Sequence, residues 1–222
     1  MSPISPESKF DVDRAASTAM AAAAGAVSSA LRAGRRIPAF ELPDTSGNVV
    51  SLDQALGAGP VVLNFLRGAW CAFGEESLAQ LAATYERVVS VGASAFAIAP
   101  PGRISEPGGS TPIPELVDRD MKVARAFGLV FELPVELRPK YLELGYVPPK
   151  TRKSDSFLVP IPATYLVDQE GVIVLAHIDA DYRHHLDNEA LLGALKALQA
   201  RTVARERTGK GLTGKWRLGR DL

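Results

Sequence analysis

The chain has 222 residues, of which 46% are apolar and 23% charged, a balance that suits one sizeable globular domain with extensions and excludes fibrous or disordered chains. With 25 Lys and Arg against 25 Asp and Glu, no net field recruits nucleic acid or an acidic membrane. One cysteine excludes an internal disulfide and a Cys-rich zinc site, and the three histidines, His177, His184 and His185, are too few and too clustered for a His-only metal site, so neither metal nor cofactor is expected.

Residues 1–9, with Pro3 and Pro6 among serines, read as loose. From about Asp11 to Arg35 the Ala-rich composition predicts a helix, with Met20, Ala24, Val27 and Leu31 as an apolar stripe packed on the domain or on a second copy, and Gly34 ending it. The same stretch, Ala15–Val27, follows Glu7, Asp11 and Asp13 where a signal peptide would carry a positive segment. It is therefore read as mature sequence and a cytoplasmic protein is expected. No apolar run approaches the roughly 20 residues a membrane span needs.

Phe40–Leu56 predicts a small hairpin turning at Asp44–Gly47, then a short helix at Asp53–Leu56 capped by Ser51. Val61–Leu66 is short, β-branched and apolar, as a buried strand is. After a turn at Arg67-Gly68 and then Trp70-Cys71, the residues Phe73, Leu78, Leu81, Tyr85 and Val88 fall on one face of a helix. The lone cysteine thus sits where a strand hands over to a helix, where the helix dipole favours the reactive thiolate. Two readings fit Cys71 at this point: a reactive thiol, or a small buried hydrophobe. Glu75 and Glu76, within a turn of the sulfur, oppose the thiolate unless they point away or pair with Arg67.

Ala93–Ala99 predicts a second strand, and strand, helix and strand in that order imply a right-handed crossover and a largely parallel core. The Pro/Gly/Ser loop at 100–115, with Arg103, stands where such folds dock ligands. Leu116–Phe127 predicts a helix with Val117, Met121, Ala124 and Phe127 on one face, ended by Gly128. Residues 129–160 hold five prolines and read as an irregular insertion with one short helix within Pro134–Leu144. Ile161–Asp168 is a strand, Gln169-Glu170-Gly171 a turn, Val172–His177 its partner, and Asp187-Asn188 caps a helix over Glu189–Ala200. Structural roles are expected for all three histidines. The basic tail, with Arg201, Arg205, Arg207, Lys210, Lys215, Arg217 and Arg220, reads as a solvated or partner-held extension and not as a nucleic-acid site. Gly209–Trp216 misses a phosphate loop because Trp216 replaces the Ser/Thr and no strand precedes it. The organisation is a 1–36 helical extension, a 37–200 domain and a 201–222 tail.

The element order is that of a thioredoxin-like α/β domain, a central mixed sheet flanked by helices. Glu41-Leu42-Pro43-Asp44, Gly59-Pro60-Val61-Val62-Leu63, Arg67-Gly68-Ala69-Trp70-Cys71, Ala124–Leu129 and Pro162–Asp168 together resemble the peroxiredoxin-like (alkyl hydroperoxide reductase and thiol-specific antioxidant) family. The resemblance implies that Cys71 attacks a peroxide as a thiolate, giving a sulfenic acid that another thiol reduces. It implies that Pro162 is a cis-proline packed on the sulfur, and that Trp70, Phe73, Pro162 and Ala163 surround the substrate. Three departures stand out: Gly74 takes the place of a second cysteine, Gly68 that of the peroxide-orienting Thr or Ser, and the family's activating arginine would fall near Pro162. Arg67 is then the nearby basic group, expected to lower the pKa of Cys71.

The expectation is a homodimeric one-cysteine thiol oxidoreductase acting on hydrogen peroxide or organic hydroperoxides and restored by a low-molecular-weight thiol or a thioredoxin-like protein. The alternatives are a redox-inert binding or scaffold member of the family, and a monothiol exchange or transferase enzyme on a specialised substrate.

Overall fold

The computed structural model describes residues 6–101, 112–151 and 156–213. Arg103, the side chain of Glu75 and the tail beyond Thr213 lie outside the described residues. The chain runs α1 (Pro6–Val27), β1 (Glu41–Pro43), β2 (Val49–Ser51), α2 (Leu52–Ala58), β3 (Val61–Phe65), α3 (Ala72–Ser90), β4 (Ser94–Ala99), β5 (Glu115–Val117), α4 (Lys122–Ala126), β6 (Val130–Glu132), α5 (Arg138–Glu143), β7 (Leu158–Pro160), β8 (Ala163–Val167), β9 (Ile173–Ile178) and α6 (Asn188–Thr213).

Every residue of β3 is buried, which places it in the middle of a five-stranded sheet ordered β5-β4-β3-β8-β9. Successive side chains of β3 point to opposite faces. Leu63 and Phe65 join Phe96, Ile98, Phe127 and Tyr165 on one face, where α1, α2, α4 and the β6–β7 region pack. Val62 and Leu66 join Leu78, Leu81 and Val88 of α3 and Leu191, Leu192, Leu195 and Leu198 of α6 on the other. Burial on both faces explains why β3 reads as a continuous apolar run instead of an alternating one.

The largely parallel core is corrected to an evenly mixed one. β3–β4 and β4–β5 are parallel, whereas β3–β8 and β8–β9 are antiparallel. The hairpin turn at Asp168–Gly171 forces the β8–β9 pairing, since a tight turn can join only antiparallel neighbours. The helix expected over Leu116–Phe127 is also corrected. Leu116 and Val117 extend the sheet edge as β5, and helix begins only at Lys122. Asp118 stops the strand and starts the helix. Its carboxylate accepts from Val123 N–H at 3.0 Å and Ala124 N–H at 2.8 Å, after Asp120 and Met121 turn the chain through left-handed backbone angles. Burial without good compensation raises the Asp118 pKa despite these bonds.

Three further corrections concern extent and face. The insertion is not wholly irregular, because β6 and β7 pair antiparallel across its ends. α6 runs on past Ala200 to Thr213, since no glycine or proline interrupts it before Gly209. Among the residues of α1 whose burial is described, Ala19 and Ala23 are buried while Ala24 is exposed, so the contact face is rotated from the expected stripe, and the helix ends at Val27. The chain then crosses Gly128 closely: a Cβ there would lie 2.3 Å from the Ser29 carbonyl oxygen, and Gly128 has φ +73°. This fastens the exit of α1 onto the end of α4.

Candidate active site

The ladder of β3 continues one step beyond the strand, with Leu66 N–H donating to Ile98 O at 2.9 Å, and the chain then leaves the sheet at Arg67. Gly68 takes φ +111°, a conformation L residues avoid, and this folds the segment back so that Cys71 N–H donates to Gly68 O at 3.1 Å. Trp70 Nε1–H closes the same turn on Arg67 O at 2.7 Å. Cys71 becomes the N-cap of α3 in extended geometry, but its side chain makes no capping bond, so the sulfur remains free for another partner.

That partner is Arg67. Its Nη1 lies 3.8 Å from Cys71 Sγ and its Nη2 donates to Tyr141 Oη at 3.0 Å. Arg67 is 5% exposed, and among the described residues no carboxylate forms a salt bridge with it. It is held between aromatic faces instead, 4.2 Å from the ring centre of Tyr182, 4.6 Å from Trp70 and 5.7 Å from Tyr141. Such contacts are worth up to about 2 kcal/mol each when desolvated, which offsets part of the cost of burying the charge. Tyr182 sits close enough to feel both sides of the balance: burial raises its pKa, and the Arg67 cation opposes the rise.

Around this pair the insertion builds a wall. Trp70 packs against Tyr141 at 5.1 Å and Tyr146 at 4.9 Å, and Tyr146 against Phe157 at 5.5 Å, with the Tyr146 hydroxyl donating to Leu158 O. The hydroxyl pKa of Tyr146 is driven upward by burial. Over the sulfur, Phe73 meets Tyr182 at 5.3 Å. Cys71 itself is 8% exposed and opens on a cavity of about 10 Å³ lined by Arg67, Phe73, Ser77, Pro162 and Tyr182, room for about one water.

The structure therefore brings Cys71, Arg67, Phe73 and Pro162 together around one small space. Trp70 stands behind Arg67, and Ala163 faces a different chamber beyond Pro162. The expectation of a cis-proline is corrected: no described peptide bond is cis, and Ile161 N–H, just before Pro162, donates to Leu129 O at 2.8 Å and ties this corner to the end of α4. Glu76 is exposed to solvent. A hydroxyl-bearing side chain at Gly68 would be strained, because its φ of +111° disfavours L residues and a Cβ there would press on the Trp70 ring at 3.2 Å. Sequence reasoning missed Tyr141, Tyr182 and Ser77. Tyr141 and Tyr182 carried no signal, because each reaches the site from an element distant in sequence; Ser77 lay on the α3 helix but off its apolar stripe.

Among the described residues, no group of three or more His, Cys, Asp or Glu could hold a metal, and no helix is long and apolar enough to cross a membrane.

A family model described as the AhpC/TSA family matches residues 33–176. No curated protein matches the chain significantly. Solved structures similar to it include the peroxidoxin BcpB of Mycobacterium tuberculosis, 20% identical over 76% of this chain and 98% of that one with a TM-score of 0.53. Peroxiredoxin Q of Xanthomonas campestris is 20% identical over 75% and 99% of the two chains with a TM-score of 0.54. The 2-Cys peroxiredoxin of Plasmodium vivax is 13% identical over 78% and 84% with a TM-score of 0.58. At these identities the likeness is one of fold.

Proposed function

The chain belongs to the AhpC/TSA family and has the thioredoxin-like fold of the peroxiredoxins, and from that premise we propose that it is a one-cysteine thiol peroxidase acting through Cys71. The observation that carries this reading is the buried, carboxylate-free Arg67 with its Nη1 3.8 Å from the sulfur. A buried cation is costly unless something negative faces it. Of the ionisable groups that face it, the Cys71 thiol and the Tyr141 and Tyr182 phenols, a thiol is ordinarily the most acidic.

In the reaction, the Cys71 thiolate attacks the distal oxygen of hydrogen peroxide or an organic hydroperoxide. The S–O bond forms as the O–O bond breaks, the sulfur is oxidised to a sulfenic acid, and hydroxide or alkoxide departs. Arg67 holds the negative charge in the cavity before attack and faces the departing anion after it. With no second cysteine in the chain, the sulfenic acid is reduced by an external thiol, either a small thiol or a thioredoxin-like protein. The dimer and the cytoplasmic location expected from the sequence form part of the same proposal, and the elution mass of the purified protein tests the first.

One observation favours a second reading, a redox-inert family member. Cys71 is 8% exposed beside a cavity of about 10 Å³, so a peroxide enters only if the Phe73–Tyr182 pair moves. Steady-state consumption of hydrogen peroxide with dithiothreitol as reductant separates the two. The peroxidase reading expects turnover that disappears in Cys71→Ser, and no turnover in the parent supports the inert one.

A further inference from the structure

Beyond Pro162 lies a second cavity of about 30 Å³, lined among others by Asn64, Ser77, Thr164, His177 and His185, with exposed His184 at its edge. Polar side chains share its lining with Leu81, Leu186 and Leu191, on a face of the sheet that is otherwise apolar. The Nε2 atoms of His177 and His185 are both buried and neither has a protein partner. Buried polar atoms of this kind are normally satisfied, and two in one chamber wide enough for water mark a place that solvent or a proton visits. The other ring nitrogen of His185 is fixed, Nδ1 lying 2.9 Å from Ser77 Oγ. Ser77 in turn lines the cavity onto which Cys71 opens, so one residue borders both spaces.

We propose that Ser77 and His185 form a proton relay from this chamber to the reacting atoms at Cys71, an inference that rests on the peroxidase reading. When the thiolate attacks, the distal oxygen keeps its hydrogen and becomes the sulfenic OH, and the departing oxyanion needs one proton. Ser77 Oγ–H supplies it and is refilled from His185 Nδ1–H, while Nε2 takes a proton from solvent in the chamber. The imidazole ends neutral in its other tautomer, and the net change is one solvent proton delivered to the leaving group. His185 is a positioning residue that acts through Ser77. The other titratable groups facing the relay are His177 from β9 and His184 in the connection, the latter engaged by Asp179 at 2.9 Å, with Cys71, Arg67 and Tyr182 on the sulfur side.

The leaving group provides the test. Hydroxide departing from hydrogen peroxide needs a proton, whereas acetate departing from peracetic acid does not. Second-order rates of both oxidants with the reduced protein are measured for the parent, Ser77→Ala, His185→Gln and Ser77→Thr. In Ser77→Ala and His185→Gln the hydrogen peroxide rate falls about a hundredfold, the usual scale of a lost general acid. The peracetic acid rate does not follow it, and Ser77→Thr restores the hydrogen peroxide rate. If both oxidants slow together, or neither slows, while the parent remains fast, the relay is overturned and the peroxidase reading stands. A parent that reacts with neither oxidant faster than a free thiol overturns that reading and the relay with it.

Discussion

Replacing Arg67 by methionine keeps an unbranched side chain in the aromatic cage but removes the cation 3.8 Å from Cys71 Sγ. At an effective dielectric of about 20, unit charges near 4 Å attract by about 4 kcal/mol, which bounds what the cation contributes to the reactivity of the sulfur at nearly a thousandfold in rate. Water entering beside the thioether and the N-terminus of α3 return part of this, which leaves a loss of about a hundredfold. Arg67→Lys retains the charge without the planar fork that serves Tyr141 and the sulfur together, and falls between the two. The assay is the second-order rate of iodoacetamide alkylation at pH 7 followed by intact mass, in which every adduct at this single cysteine reports on Cys71. The Tyr141 hydroxyl also loses its donor, at a cost of about 1–3 kcal/mol, so a thermal melt confirms that the variant is folded at the assay temperature. Alkylation of folded Arg67→Met at the parent rate would refute the electrostatic pairing.

Restoring the family's hydroxyl by Gly68→Thr is expected to harm and not help. A φ of +111° is foreign to a β-branched residue, and its Cβ would meet the Trp70 ring at 3.2 Å, so the urea midpoint drops by the equivalent of about 2 kcal/mol and the peroxide rate does not rise. Phe73→Ala breaks the ring pair over the sulfur and raises the rate with cumene hydroperoxide more than that with hydrogen peroxide; equal changes would show that the pair is not the gate. Asp181 is held at about 2 first by the Arg183 guanidinium, below its ordinary 3.8. Its ionised form is favoured by folding, so the stabilisation is complete above the unfolded carboxylate range and is lost as pH falls through about 2. The gap in urea midpoint between the parent and Asp181→Asn is therefore open at pH 5 and narrows towards pH 2.

The centre of the molecule was legible because it depends on short-range patterns. The apolar run of β3, the turn at Gly68 and the stripe Leu78, Leu81 and Val88 dictate a strand, a reversal and a helix, and so place Cys71 beside Arg67 across one turn. The edges depended on long-range contacts. Leu116 and Val117 have helical spacing to Met121 and Ala124, yet β4 offers an open edge, and ladder bonds such as Asp118 N–H to Ala99 O at 2.8 Å outweigh the propensity. β6 and β7 are three residues each and pair across an insertion rich in proline, so neither carries a periodic signal of its own. The face of α1 was misjudged because methionine and leucine attract attention, whereas the contact with β6 is close and selects the small Ala19 and Ala23. Ser77 of α3, Tyr141 of α5, and Tyr182 and His185 of the β9–α6 connection converge from three separate stretches, and nothing in the local order of any one stretch announces the others.

The central claim is that the sulfur of Cys71 is a peroxide-reactive thiolate, and trapping its product tests that most directly. Reduced protein is exposed to one equivalent of hydrogen peroxide in the presence of a sulfenic-acid trap, and its intact mass is followed in time beside Cys71→Ser. The account predicts rapid addition of a single trap mass in the parent and none in the variant. Oxidation of the parent no faster than that of a free thiol would contradict it.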